Sequence, residues 1–196
     1  SEHAPTGRHR VPVRSGMSGG PAPAVLLLGA GESRLEAWLR GSAEAWGRQV
    51  APEASFAAAP GEGLVGAVQR VLSAHGPPLL VGWPVLARLR PAHAAAALDD
   101  LAAGCDLVLG PTTDGGLYLL GLARALPPEV LGQFEAWPLV DDAVGTGARV
   151  ALSHGLEIGL LRAERPLRTP ADWRAARVDP TTPGDVLELL DELEAA

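Results

Sequence analysis

Asp106-Leu107-Val108-Leu109-Gly110-Pro111-Thr112-Thr113-Asp114-Gly115-Gly116-Leu117-Tyr118-Leu119-Leu120-Gly121-Leu122 decides how the chain is read. Two short apolar runs, 106–110 and 117–122, flank a polar Gly/Pro/Asp turn. Runs of this length with no alternation are strands buried on both faces. Only a few residues separate them, too few for a helical crossover. The second run therefore turns antiparallel or leaves the main sheet. The turn brings backbone close to any ligand through its glycines and offers one carboxylate, Asp114. A plain Asp-Gly turn between two strands is the alternative.

Working outward, the same kind of apolar run recurs at 24–28 (ended by Gly29), 79–82 and 156–161. Between the strands the apolar spacing becomes helical. Leu35, Trp38, Leu39 and Trp46 predict a helix over 33–46. Leu64, Val65, Val68, Val71 and Leu72 predict another over 62–74. Further helices are expected over 92–103, 140–154 and 185–194. Alternating strands and helices make βαβ units. The expected fold class is α/β, a three-layer α/β/α arrangement around a mainly parallel mixed sheet. Ligands in such sheets sit beyond the carboxyl ends of the strands. That places the loops at 29–33, 82–85 and 110–116 together.

Composition narrows the chemistry. All 16 basic residues of the 196 are arginine; the chain has no lysine and no asparagine, and Ile158 is its single isoleucine. Absence of codons rich in A and T marks a GC-rich genome. It also excludes a catalytic lysine or Schiff base and passes any phosphate-clamping role to arginine. Cys105 is the single cysteine, so no internal disulfide exists and a reducing cytoplasm is expected. The net charge of -7 argues against nucleic acid as the main partner. No uncharged apolar run reaches the roughly 18 residues that span a membrane. Residues 1–23, rich in Ser, Gly, Pro and Arg, read as a flexible arm before one domain over 24–196. Arg8, Arg10 and Arg14 in that arm read as solvated.

The Gly110–Leu122 segment resembles the Gly-Pro-x-x-Asp-Gly-Gly-Tyr-Tyr-Leu-Ile-Gly-Leu signature of a bacterial family, domain of unknown function 2064. Leu117 replaces its first tyrosine and Leu120 its isoleucine. Leu80-Val81-Gly82, Pro91-Ala92-His93 and Thr169-Pro170-Ala171-Asp172-Trp173 track it further. The family is described as glycosyltransferase-like and is similar to the nucleotide-diphospho-sugar transferase (GT-A) fold. The resemblance implies a nucleotide or nucleotide-sugar ligand and a divalent cation, Mg²⁺ or Mn²⁺. It implies phosphate binding by Gly29, Ala30, Gly31 and Arg34, and a catalytic role for Asp114. The pocket would be completed by Trp83, Thr112, Thr113, Gly115, Gly116 and Tyr118.

Three departures bear on that chemistry. The family's second strand ends in Gly-x-Asp-x-Pro, whose aspartate is the expected metal ligand; this chain reads Gly82-Trp83-Pro84. The first loop carries Glu32 where the family has lysine, a reversal of charge beside phosphate. The closing motif, Asp-x-Asp-Thr-Pro-x-Asp-Leu, falls on Thr169–Asp172, but the residues ahead are Arg165-Pro166-Leu167-Arg168. A second copy, Thr182-Pro183-Gly184-Asp185, keeps one leading acid, Asp179, and reads as a helix cap with Thr182 as N-cap. No metal ligands are assigned. The expected function is a diverged GT-A-like binder of a nucleotide or nucleotide-sugar with weakened or lost metal-dependent transfer. An active nucleotidyl- or glycosyltransferase, and a non-catalytic scaffold or oligomer subunit such as a homodimer, are the alternatives. The five tryptophans would mark core or interface in the last case.

Overall fold

The apolar runs bury both faces, so helices must cover each side of the sheet they form. The computed structural model describes residues 21–29, 33–135 and 142–195. The chain runs β1 (Ala24–Leu27), α1 (Arg34–Val50), β2 (Ser55–Ala57), α2 (Leu64–His75), β3 (Leu79–Gly82) and α3 (Pro91–Ala102). It continues through β4 (Leu107–Pro111), β5 (Leu117–Leu122), α4 (Pro128–Glu135), α5 (Ala143–Ser153), β6 (Ile158–Leu160), α6 (Pro170–Val178) and α7 (Gly184–Ala195).

The strands form one sheet in the order β2-β1-β3-β5-β4-β6. β1 pairs in parallel with β2 and β3, and β4 pairs in parallel with β6. β5 is antiparallel to both β3 and β4 and lies between them. The second apolar run of the deciding stretch thus turns antiparallel and enters the centre of the sheet. Alternate residues face opposite sides, as strand geometry requires. Leu26, Val81, Leu109 and Leu120 pack with Val68, Val130 and Phe134 of α2 and α4 on one side. Val25, Leu80 and Val108 pack with Trp46, Ala97 and Leu101 of α1 and α3 on the other. A smaller core joins Leu35 and Leu39 of α1 to Leu167, Ala176, Val186 and Leu190. The class expected from sequence, a three-layer α/β fold with a mixed sheet, is the one observed.

Several boundaries move. The helix expected to end at Trp46 continues to Val50. Gly47 permits this, because a Cβ there would meet Ser55 Oγ at 2.6 Å and Val25 Cγ1 at 3.3 Å. The glycine lets the helix lie directly on β1 and β2. Within the helix expected over 140–154 lies α5, which starts on an N-cap from Asp142, whose carboxylate accepts the Gly145 N–H at 2.9 Å, and ends at Ser153. Residues 140–141 and the arm residues 1–20 lie outside the described residues. The capping role expected of Thr182 is not observed. Its hydroxyl turns back and donates to Ala176 O at 2.7 Å, at the end of α6, and α7 begins at Gly184. Among the described residues no helix is long and apolar enough to cross a membrane.

Candidate functional site

β1 and β3 end side by side, with Leu28 N–H donating to Gly82 O at 2.9 Å. Their continuations, Gly29 and Trp83, line a cleft at the carboxyl edge of the sheet. Trp83 is 6% exposed, and its backbone N–H donates to Tyr118 O at 3.1 Å. It lies on the wall shared by two lobes. One, of about 600 Å³, runs between α1 and the segment leading into α6, with Leu39, Val85, Leu167, Arg168 and Trp173 in its walls. The other, of about 660 Å³, runs along residues 57–64 toward Phe134 and Glu135. Gly29 and Arg40 line both lobes.

α1 starts beside this cleft. Ser33 is its N-cap and forms a capping box with Glu36, whose carboxylate accepts the Ser33 N–H at 3.0 Å. Glu36 and Arg40 are four residues apart and share a helix face; both line the first lobe. The Arg40 side chain is exposed. Arg34, expected on phosphate, pairs with Glu192 of α7 and lines neither lobe. Ala30, Gly31 and Glu32 lie outside the described residues.

The β4–β5 turn is closed locally. Thr112 N–H donates to Gly116 O at 2.8 Å, and Gly115 N–H to Thr112 O at 3.1 Å. Gly115 has φ +85°, a conformation that glycine adopts without strain. Asp114 Oδ1 accepts the Thr112 hydroxyl and, at 3.4 Å, the Gly116 N–H. Its other oxygen, Oδ2, accepts Arg168 Nη1 at 2.8 Å. Both side chains are 32% exposed. Asp114 therefore reaches the cleft through Arg168, which lines it. Thr113 is exposed, and its N–H donates to Glu164 O at 2.9 Å.

Tyr118, expected in the pocket, is instead a core residue with no exposure. Its hydroxyl donates to Arg162 O at 3.2 Å, and its ring meets His93 at 5.1 Å. Burial first, then the Glu164 carboxylate, pushes its phenol up to about 12. An apolar strand position facing α3 has no route to the cleft. His93 lies 3.4 Å from Glu164 and burial depresses its pKa.

Among the described residues the donor set does not fit a divalent cation. Hard cations need several oxygen ligands. Both oxygens of Asp114 already accept hydrogen bonds, one of them from a guanidinium. Asp172, the acid of the closing motif, is 8% exposed, and its Oδ2 accepts Thr169 N–H at 2.9 Å, the Thr169 hydroxyl at 2.8 Å and Arg168 N–H at 3.3 Å. It is a helix cap. Among the described residues no three His, Cys, Asp or Glu side chains gather into a metal-holding group.

Other acids serve the scaffold. Asp106 sits just before β4, at the end of that strand remote from Asp114. Arg124 and the Glu157 N–H hold its carboxyl below the usual range. Glu62 lines the second lobe, and hydrogen bonds from Arg70 hold it down to about 2. Burial, then the nearby Asp100, Glu157 and Asp106 carboxylates, push the Cys105 thiol up, which disfavours the thiolate. Sequence reasoning missed Arg40, Arg168 and Trp173 as cleft residues. The register of Arg40 with Glu36 behind the Ser33 cap was the available signal. Nothing local marks Arg168, because its partner lies 54 residues away.

The sheet order and its helical layers define a nucleotide-diphospho-sugar transferase-like α/β fold. The sequence matches the family described as "Uncharacterized protein conserved in bacteria (DUF2064)" over residues 18–136, and the chain belongs to that family. A crystal structure titled "putative nucleotide-diphospho-sugar transferase" from Desulfovibrio desulfuricans G20 is similar, with a TM-score of 0.63. It is 18% identical, and the alignment covers 90% of this chain and 96% of that one. At that identity the likeness establishes the fold. No curated protein matches the chain.

Proposed function

We propose that the cleft binds a nucleotide or nucleotide-sugar, and that metal-dependent transfer is weakened or lost. The two-lobed cleft at the carboxyl ends of β1 and β3, with Trp83 and Arg40 on its shared wall, carries the reading. An extended ligand of two unlike parts suits two lobes. The first lobe offers apolar walls with Trp83, Trp173 and Arg168. The second offers the carboxylates of Glu44 and Glu135, which accept hydrogen bonds from hydroxyl groups. Arg40, between them, faces whatever anion joins the parts, and an arginine is well matched to phosphate. Loss of transfer is supported by Trp83 at the position of the expected metal-binding aspartate and by the occupied oxygens of Asp114.

A thermal-shift panel of nucleotides and nucleotide-sugars, in EDTA and in MnCl₂, tests this. At least one compound raises the melting temperature of the full chain, and Arg40→Ala weakens its binding roughly tenfold, the size expected for a charged hydrogen bond. The reading fails if no compound shifts the melting temperature. It also fails if the Arg40→Ala protein binds the stabilising compound as tightly as the unaltered chain.

A further inference from the structure

We infer that the Arg168 guanidinium takes the place of a divalent cation in this cleft: it neutralises Asp114 and presents the positive charge that meets a ligand's diphosphate. The inference deepens the function proposed above and takes its ligand class from it. Three observations converge on Arg168. Its Nη1 lies 2.8 Å from Asp114 Oδ2. Arg168 lines the first lobe, as does Arg40. Its backbone is fixed on both sides, since Arg168 N–H donates to Asp172 Oδ2 at 3.3 Å and Leu167 N–H donates to Val85 O at 2.7 Å.

The position is electrostatically apt. Arg168 immediately precedes Thr169, the N-cap of α6, so the positive end of the helix dipole adds to its charge. A guanidinium has the fork geometry that phosphate oxygens match. It also keeps its charge at any physiological pH and needs no coordination sphere. A carboxylate that would ligate a metal is thereby turned into the anchor of an organic cation. A structural clamp between the β4–β5 turn and α6 would show the same ion pair, but it makes no prediction about anions.

Calorimetric titration of the full chain with inorganic pyrophosphate separates the cases. Pyrophosphate binds in EDTA, with no free divalent cation present, and manganese alone, followed by its electron paramagnetic resonance signal, is not taken up. Arg168→Ala weakens pyrophosphate binding roughly tenfold, as expected on losing a charge-assisted bond. Asp114→Asn leaves the Thr112 contact in place and releases the neutralising charge, so pyrophosphate binds about twofold tighter. Binding that requires manganese overturns the inference, as does loss of binding in Asp114→Asn or full retention in Arg168→Ala. If Arg168→Ala does not fold by circular dichroism, the Asp114→Asn and manganese measurements decide. Pyrophosphate bound through Arg168 with no nucleotide bound would sink the nucleotide reading and leave this one standing. Nucleotide binding that depends on manganese would do the reverse.

Discussion

Thr169-Pro170-Ala171-Asp172 and Thr182-Pro183-Gly184-Asp185 share three of four residues and both lead into helices, yet they are held in different ways. In the first, Thr169 and Asp172 form a reciprocal capping box: each side chain meets the other's backbone N–H. In the second, the threonine hydroxyl bonds backward to Ala176 O and the aspartate bonds outward, Asp185 Oδ2 accepting Trp38 Nε1 at 2.7 Å. Pattern alone therefore does not assign a cap. What differs is the surrounding structure. Asp172 is buried against Arg168 and Arg165, beside the cleft. The second copy sits between α6 and α7, where Ala176 O at the end of α6 accepts both the Asp179 N–H, at 3.2 Å, and the Thr182 hydroxyl. One copy shapes the cleft wall and the other joins two helices.

The contrast is broken most strongly at Asp172. Asp172→Ala removes the acceptor for three donors, and the capping box with it. Stability falls by about 2 kcal/mol, readable as a lower denaturation midpoint with unchanged slope. Thr182→Val removes one hydroxyl bond and costs about 0.5 kcal/mol in the same assay. A larger loss at Thr182 than at Asp172 would invert the comparison.

The smallest effect is one of pH. The Thr181 N–H and hydroxyl, at 2.8 and 2.7 Å, hold the Asp179 carboxyl below its ordinary value. A depressed carboxyl stabilises the fold fully above the unfolded-state pKa of about 3.9 and progressively less as pH falls through its folded value. Acid titration followed by NMR should therefore show the Asp179 side chain titrating below a free aspartate. Asp179→Asn removes that part of the acid dependence. A normal aspartate titration would show that the turn before the second copy is not held by this carboxylate.

The sheet was legible because its signal is local. Strands at 79–82 and 117–122 coincide with the apolar runs, whose burial needs no knowledge of partners. β2 escaped because Ser55–Ala57 is three residues long and only partly buried, too short to show a period. α4 escaped for its length, eight residues beginning at a proline. α6 was read as a motif, although Thr169 and Pro170 are also a cap and a first-turn proline. At the site, Gly29, Trp83 and Asp114 stood out because loops at strand ends attract attention. Arg168 and Trp173 did not, because their meaning depends on where the chain returns. The indole N–H of Trp173 is buried without a hydrogen-bond partner among the described residues, a fact no sequence pattern carries.

β5 follows β4 in the chain but lies between β3 and β4 in the sheet. The hairpin that carries Asp114 closes through neighbours in sequence, whereas its bond to Arg168 closes a loop of 54 residues. The sheet can thus be complete while the cleft still lacks a wall. The first lobe, walled by Leu167, Arg168 and Trp173, consequently exists only once the carboxyl-terminal third has docked against α1.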